Sequence, residues 1–142
     1  MNENIRKYFD AIEVRLIESP AVTSYQVIRR DIGVVDGKMR IKSVLSNDET
    51  FEFFIYLVEA KRQLVLEKYS FHWQDKHGCL LIRIDNAPHF PDMPNAPHHV
   101  HKGREVVEAL LETPQLLPFL DEIEGMVVSA DILLRCPPPE LP

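Results

Sequence analysis

Apolar side chains recur along the first eighteen residues at intervals of three and four. Ile5, Tyr8, Phe9, Ile12 and Leu16 fall on one stripe of a 3.6-residue period, which predicts an amphipathic helix over Asn4–Glu18, packed on a core and ended by Ser19-Pro20. The period then changes to two. Ser24–Ile32 is rich in β-branched residues, and Lys38–Ser46 alternates, with Lys38, Arg40 and Lys42 on one face and Met39 and Ile41 on the other. Asp36-Gly37 reads as a hairpin turn between these two strands, and Asn47-Asp48-Glu49 as the next turn. Phe51–Val58 is a strongly apolar strand. Gln63–Gln74 and Cys79–Asp85 form the clearest pair, joined at Asp75-Lys76-His77-Gly78. These runs predict a five-stranded, mainly antiparallel meander.

The last hairpin can be taken to side-chain level. With Gln74 opposite Cys79, Tyr69, Phe71 and Trp73 face Ile84, Ile82 and Leu80 on one side. Lys68, Ser70 and His72 face Asp85, Arg83 and Leu81 on the other. One face is then apolar and the other ionisable, as in a sheet covered by helices on one side only.

Beyond residue 103 the pattern looks helical again. Val106, Ala109 and Leu110 form a short stripe before Thr113-Pro114. Leu116–Glu124 reads as another helix stopped by Gly125, and Val127–Arg135 fits strand or helix equally. The expected fold class is α+β: an N-terminal helix, the five-stranded sheet and C-terminal helices. Residues 1–136 are read as one domain and 137–142 as a proline-rich tail.

Composition narrows the setting. A chain of 142 residues can bury a sizeable core without staples. No apolar run reaches the length of a membrane span, and Met1–Asp10 lacks the apolar stretch of a signal peptide. Cys79 and Cys136 are too few and too far apart for a disulfide framework, so a cytoplasmic protein with reduced thiols is expected. The net charge of −6 is unevenly spread. Residues 1–45 carry eight Lys/Arg against six Asp/Glu, whereas residues 104–142 carry two against eight. The acidity belongs to the C-terminal part, which leaves room for a local basic surface elsewhere.

Four of the six histidines lie in one proline-flanked stretch, His89 and then His98, His99 and His101. Prolines 88, 91, 94 and 97 exclude a helix there and stiffen the chain. Three readings stand side by side. His98 or His99 with His101, His89 and Asp85 have the donor types of a metal site, although no established zinc spacing is present. The same imidazoles, with Arg83, Lys68 and Lys102, suit RNA cleavage. That reaction needs a base for the 2′-hydroxyl proton, an acid for the leaving oxygen and cations for the phosphorane charge. Or the stretch is only a stiff cover for a strand edge, closed by Asp85-Asn86 turn hydrogen bonds. The Lys38-Arg40-Lys42 stripe is the best candidate for phosphate contacts; the alternative is a solvated sheet face. His77 belongs to a turn.

Together, Tyr69-Ser70-Phe71-His72-Trp73-Gln74-Asp75, Gly78, Leu80, Ile82, Arg83, Asp85-Asn86-Ala87-Pro88-His89 and Pro97-His98-His99-Val100-His101-Lys102-Gly103 resemble the TumE family of small toxins from prokaryotic toxin–antitoxin modules. The resemblance covers roughly residues 24–103. It implies a toxin acting on RNA, with a small helix-turn-helix antitoxin as partner. The matching motif positions are His72, Arg83, Asp85, Asn86, His89, His98, His99 and His101. The C-terminal third departs from the family pattern.

The expectation is therefore a metal-independent ribonuclease toxin without a cofactor. His99 and His101 would exchange protons, Arg83 would clamp phosphate, and His72 and Asp85 would orient. Lys38, Arg40, Lys42 and Lys102 would hold the RNA backbone. The competing expectation is a noncatalytic binding module, stabilised by metal, working in a complex. A homo-oligomer is compatible with either.

Overall fold

The computed structural model describes residues 1–88, 92, 95–103, 106–110 and 114–135, the side chains of 130–135 excepted. The order of elements is helix α1 (Glu3–Glu18), strands β1 (Val22–Ile32), β2 (Asp36–Leu45), β3 (Thr50–Ala60), β4 (Gln63–Gln74), β5 (Leu80–Asp85), β6 (His99–Lys102) and β7 (Val106–Ala109), and helix α2 (Leu116–Arg135). The strands form one sheet in sequence order, and every neighbouring pair is antiparallel. Among the described residues the sheet has seven strands where five were expected, and one C-terminal helix follows it where several were expected.

Helix α1 follows its stripe. Ile5, Phe9, Ile12 and Leu16 are buried, and the Asn2 side chain caps the start by accepting from the Ile5 N–H. Gly37 is not the turn that Asp36-Gly37 suggested. The chain reverses at residues 33–35, where Gly33 N–H donates to Asp36 O at 2.8 Å. Gly37 lies inside β2 beneath α1, where an added Cβ would stand 2.7 Å from Ile5 Cγ2. Its missing side chain lets the helix close on the sheet.

Met39, Ile41, Phe51, Phe53, Ile55, Phe71 and Ile84 fill the core between the sheet and the helices. Leu116, Phe119, Leu120, Ile123 and Val127 bury the matching stripe of α2, with the Phe119 ring 5.5 Å from Phe71 and 5.6 Å from Phe51. That stripe carries the helix through Gly125, because burying Val127 outweighs a glycine's helix cost of about 1 kcal/mol. Arg15 joins the helices by pairing with Asp121 at 2.6 Å and with Glu124. Residues 106–109, expected as helix, pair with β6 instead. Gly103, at φ 67°, provides the left-handed residue after β6.

Both helices cover the same face of the sheet. Among the described residues no helix covers the other face, which carries Lys38, Arg40 and Lys42 of β2, Glu52 of β3, His72 of β4 and Arg83 of β5.

Candidate active site on the open face of the sheet

Direct cross-strand neighbours project to the same side of a sheet, so the register places the functional side chains. In β4 and β5, His72 stands opposite Arg83, Ser70 opposite Asp85, Phe71 opposite Ile84 and Trp73 opposite Ile82. The hairpin is slipped by two residues from the simplest pairing. Its turn is set by Asp75, whose Oδ1 accepts from the N–H groups of His77 and Cys79, and a bulge follows Trp73. An even slip leaves each residue on its face. Tyr69, Phe71 and Trp73 are therefore core, and His72 and Arg83 are on the open side.

Strand β6 then brings the second half of the motif alongside. His101 stands opposite Arg83, and His99 opposite Asp85. Two rows result on the open face. One runs Lys42, Glu52, His72, Arg83, His101 across β2 to β6, and the next runs Arg40, Phe54, Ser70, Asp85, His99. His72, together with Lys42, Thr50, Glu52 and Gln74, lines a hollow of about 220 Å³.

Asp85 is the buried centre of this region, 3% exposed. Its Oδ1 accepts from the Ala87 N–H at 3.0 Å and lies 3.0 Å from His99 Nε2, while its Oδ2 lies 3.0 Å from Arg83 Nε. His99 is 1% exposed, and its Nδ1 is 2.9 Å from Pro97 O. A carbonyl only accepts, so Nδ1 is the nitrogen that carries a proton there. The His99 Nε2 and the Asp85 carboxylate oxygen stand 3.0 Å apart, within ion-pair distance. Two lone pairs at that distance repel. The contact is favourable when the imidazole is doubly protonated or when a metal cation sits between the two groups. The His101 ring meets His99 edge-on at 4.8 Å and is only partly buried.

His98 points the other way, as alternation requires. Its Nδ1 and the Tyr69 hydroxyl share a hydrogen bond at 2.7 Å, and the rings stack 5.7 Å apart. Burial, aided by the charge of Asp85, pushes the Tyr69 phenol well above its ordinary range, so the hydroxyl stays protonated. Asn86 is a clamp on the backbone of β4: its Oδ1 accepts from Tyr69 N–H at 3.1 Å and its Nδ2 donates to Glu67 O at 2.9 Å.

The expected site residues thus separate. His72, Arg83, Asp85, His99 and His101 come together. His98 and Asn86 anchor the segment, and His89 lies outside the described residues. Lys38, Arg40 and Lys42 share the open face. Lys102 stands opposite Ile82 on the helix side and pairs with Glu108 at 2.9 Å, apart from the stripe. Asp85, His99 and His101 place three donor atoms within 4.8 Å of one another, a set able to hold a transition metal.

Sequence reading missed Phe54 and Tyr56. They lie on the open face beside the basic stripe, with Arg40 over the Phe54 ring at 4.9 Å and Lys38 over the Tyr56 ring at 5.2 Å. In a run where nearly every residue is apolar, a period of two is invisible. Only pairing with the alternating β2 shows which aromatics face outward.

An antiparallel sheet with helices on one face and a histidine, arginine and aspartate cluster on the other defines a small α+β protein with a polar-face site. The chain belongs to the TumE toxin family, whose model, Toxin TumE, matches residues 12–127. It is the toxin component of a toxin–antitoxin module, and an antitoxin partner follows from that membership. Comparison with curated proteins and with solved structures gave no match. Among the described residues no helix is long and apolar enough to cross a membrane.

Proposed function

We propose that this toxin is a metal-independent ribonuclease acting in the cytoplasm, inhibited by a small helix-turn-helix antitoxin. One observation carries the reading: Arg83 stands between His72 and His101 in a single row on the open face. Displacement at phosphorus needs the base and the acid on opposite sides of the phosphate, with a cation between them. One of the two accessible imidazoles takes the 2′-hydroxyl proton. O2′ attacks phosphorus, a 2′,3′-cyclic phosphate forms, and the other imidazole protonates the departing 5′-oxygen. Arg83 holds the phosphate, and its Nε contact with Asp85 fixes the guanidinium. His99 is closed off from solvent, so its part is to hold Asp85 and the His101 ring in place. Lys38, Arg40 and Lys42 meet flanking phosphates.

The test is cleavage of RNA by purified protein in EDTA. Removal of His72 or His101 is expected to lower the rate by two to four orders of magnitude, about the contribution of one acid–base group. An oligonucleotide with a single 2′-deoxy sugar at the cut site is expected to resist cleavage. Full activity in both His72→Ala and His101→Ala, with the fold intact, refutes the assignment.

The donor set of Asp85, His99 and His101 favours a second reading, a metal-stabilised binding module without catalysis. One zinc per chain in protein purified without a histidine tag, and unfolding on chelation, would support it.

A further inference from the structure

The open face holds more than a cleavage row. Phe54 and Tyr56 are successive outward residues of β3, about 7 Å apart at the rise of a strand. The Tyr56 ring is fixed by its hydroxyl, which donates to Asp36 Oδ2 at 2.9 Å. Lys38 and Lys68 stand on either side of Tyr56, and Arg40 and Ser70 on either side of Phe54. The two rings have cations beside them, and Arg40 adds a planar guanidinium against Phe54. Ser70 is small, so the floor between Phe54 and Asp85 is low. Phe54 lies two strands from β5, about 10 Å across the sheet. A nucleotide next to the one being cut can reach it.

We infer that Phe54 and Tyr56, flanked by Lys38, Arg40 and Lys68, form a stacking platform for single-stranded RNA, which selects unpaired over duplex substrate. This rests on the ribonucleolytic reading for its ligand but on different residues. Splayed bases stack on exposed rings and guanidinium planes, whereas a duplex keeps its base faces hidden. The chain carries −6 overall, yet Lys38, Arg40 and Lys68 gather beside the two rings, with Arg40 also paired to Glu52 at 3.1 Å, so the charge complementarity is local. Cation–π pairs that only stiffen the sheet are the competing account of the same geometry.

The experiment uses full-length His101→Ala protein, expected to bind without cutting, and a fluorescent RNA of one sequence offered unpaired or annealed to its complement. Anisotropy is expected to show tighter binding of the unpaired strand. Phe54→Leu and Tyr56→Leu keep apolar bulk but remove the ring, and each is expected to weaken that binding about tenfold while leaving duplex binding unchanged. In Phe54→Trp protein, unpaired RNA is expected to quench the new indole and duplex RNA is not. Equal affinity for the two forms overturns the platform, as does unchanged affinity in both Leu variants or fluorescence of the introduced indole that is blind to RNA. Should the Leu variants lose binding while wild-type protein leaves RNA intact, the platform stands and the ribonuclease reading falls. Should wild-type protein cleave RNA and the Leu variants bind and cleave like it, the reverse holds.

Discussion

Replacing Asp85 with Asn probes the buried charge at the centre of the motif. The carboxylate is 3% exposed and has an N–H, an imidazole nitrogen and a guanidinium nitrogen each 3.0 Å away. An amide of the same shape still accepts from Ala87, but it turns a donor or a weak dipole toward Arg83 and no longer offers His99 a carboxylate. Removing one partner of a buried pair costs about 3–5 kcal/mol, and the half-exposed Arg83 puts this case near 3 kcal/mol. For a chain of this length that lowers Tm by roughly 6–12 °C. His99→Asn removes the Nε2 contact while its amide N–H can still donate to Pro97 O. The double variant then isolates the Asp85–His99 term, expected at about 1–3 kcal/mol of coupling. Urea unfolding followed through Trp73 is the assay, because the one tryptophan is buried and its indole donates to Glu49 Oε1. Additive single costs, within about 0.5 kcal/mol, would refute the coupling of Asp85 to His99 and leave Asp85 as a turn-closing acceptor only.

Three further outcomes are expected. Asn86→Ala loses two hydrogen bonds to the β4 backbone and should cost about 2 kcal/mol in the same urea assay, whether or not RNA is ever cut. Gly125→Ala should stabilise the protein by about 1 kcal/mol, because the position is an exposed helix interior where an added Cβ meets nothing within 4 Å. The Asp10 carboxyl is held below its ordinary value of 3.8, chiefly by the hydrogen bond from Arg30. A depressed carboxyl contributes stability above its unfolded value and loses it as pH falls through the folded one, so Asp10→Asn should flatten the stability–pH curve below pH 4, as read by thermal unfolding.

Helix α1, the first strands and the two faces of β4 and β5 were legible in the sequence because local period decides them. Ile5, Phe9, Ile12 and Leu16 leave one helical arrangement that buries them all. Tyr69, Phe71 and Trp73 alternate with Lys68, Ser70 and His72, so even a register slip of two residues keeps both faces. The motif types also pointed to residues that the sheet brings side by side: an aspartate, an arginine and histidines on a stiffened segment.

Pairing between distant segments was not legible. Val106-Val107-Glu108-Ala109 suits a helix stripe or a strand, and the open edge of β6 decided for strand by satisfying its backbone groups. Asp36-Gly37 has the composition of a turn, but Gly37 serves the approach of Ile5 and Phe9 from α1. The division of labour among the histidines is likewise tertiary. His98 and His99 are neighbours in sequence, yet alternation along the segment sends one to Tyr69 in the core and the other to Asp85. Side-chain type and spacing set which groups are available. Only the stacking of seven strands brings His72, Arg83 and His101 into one row, because cross-strand neighbours are defined by backbone pairing and not by distance along the chain.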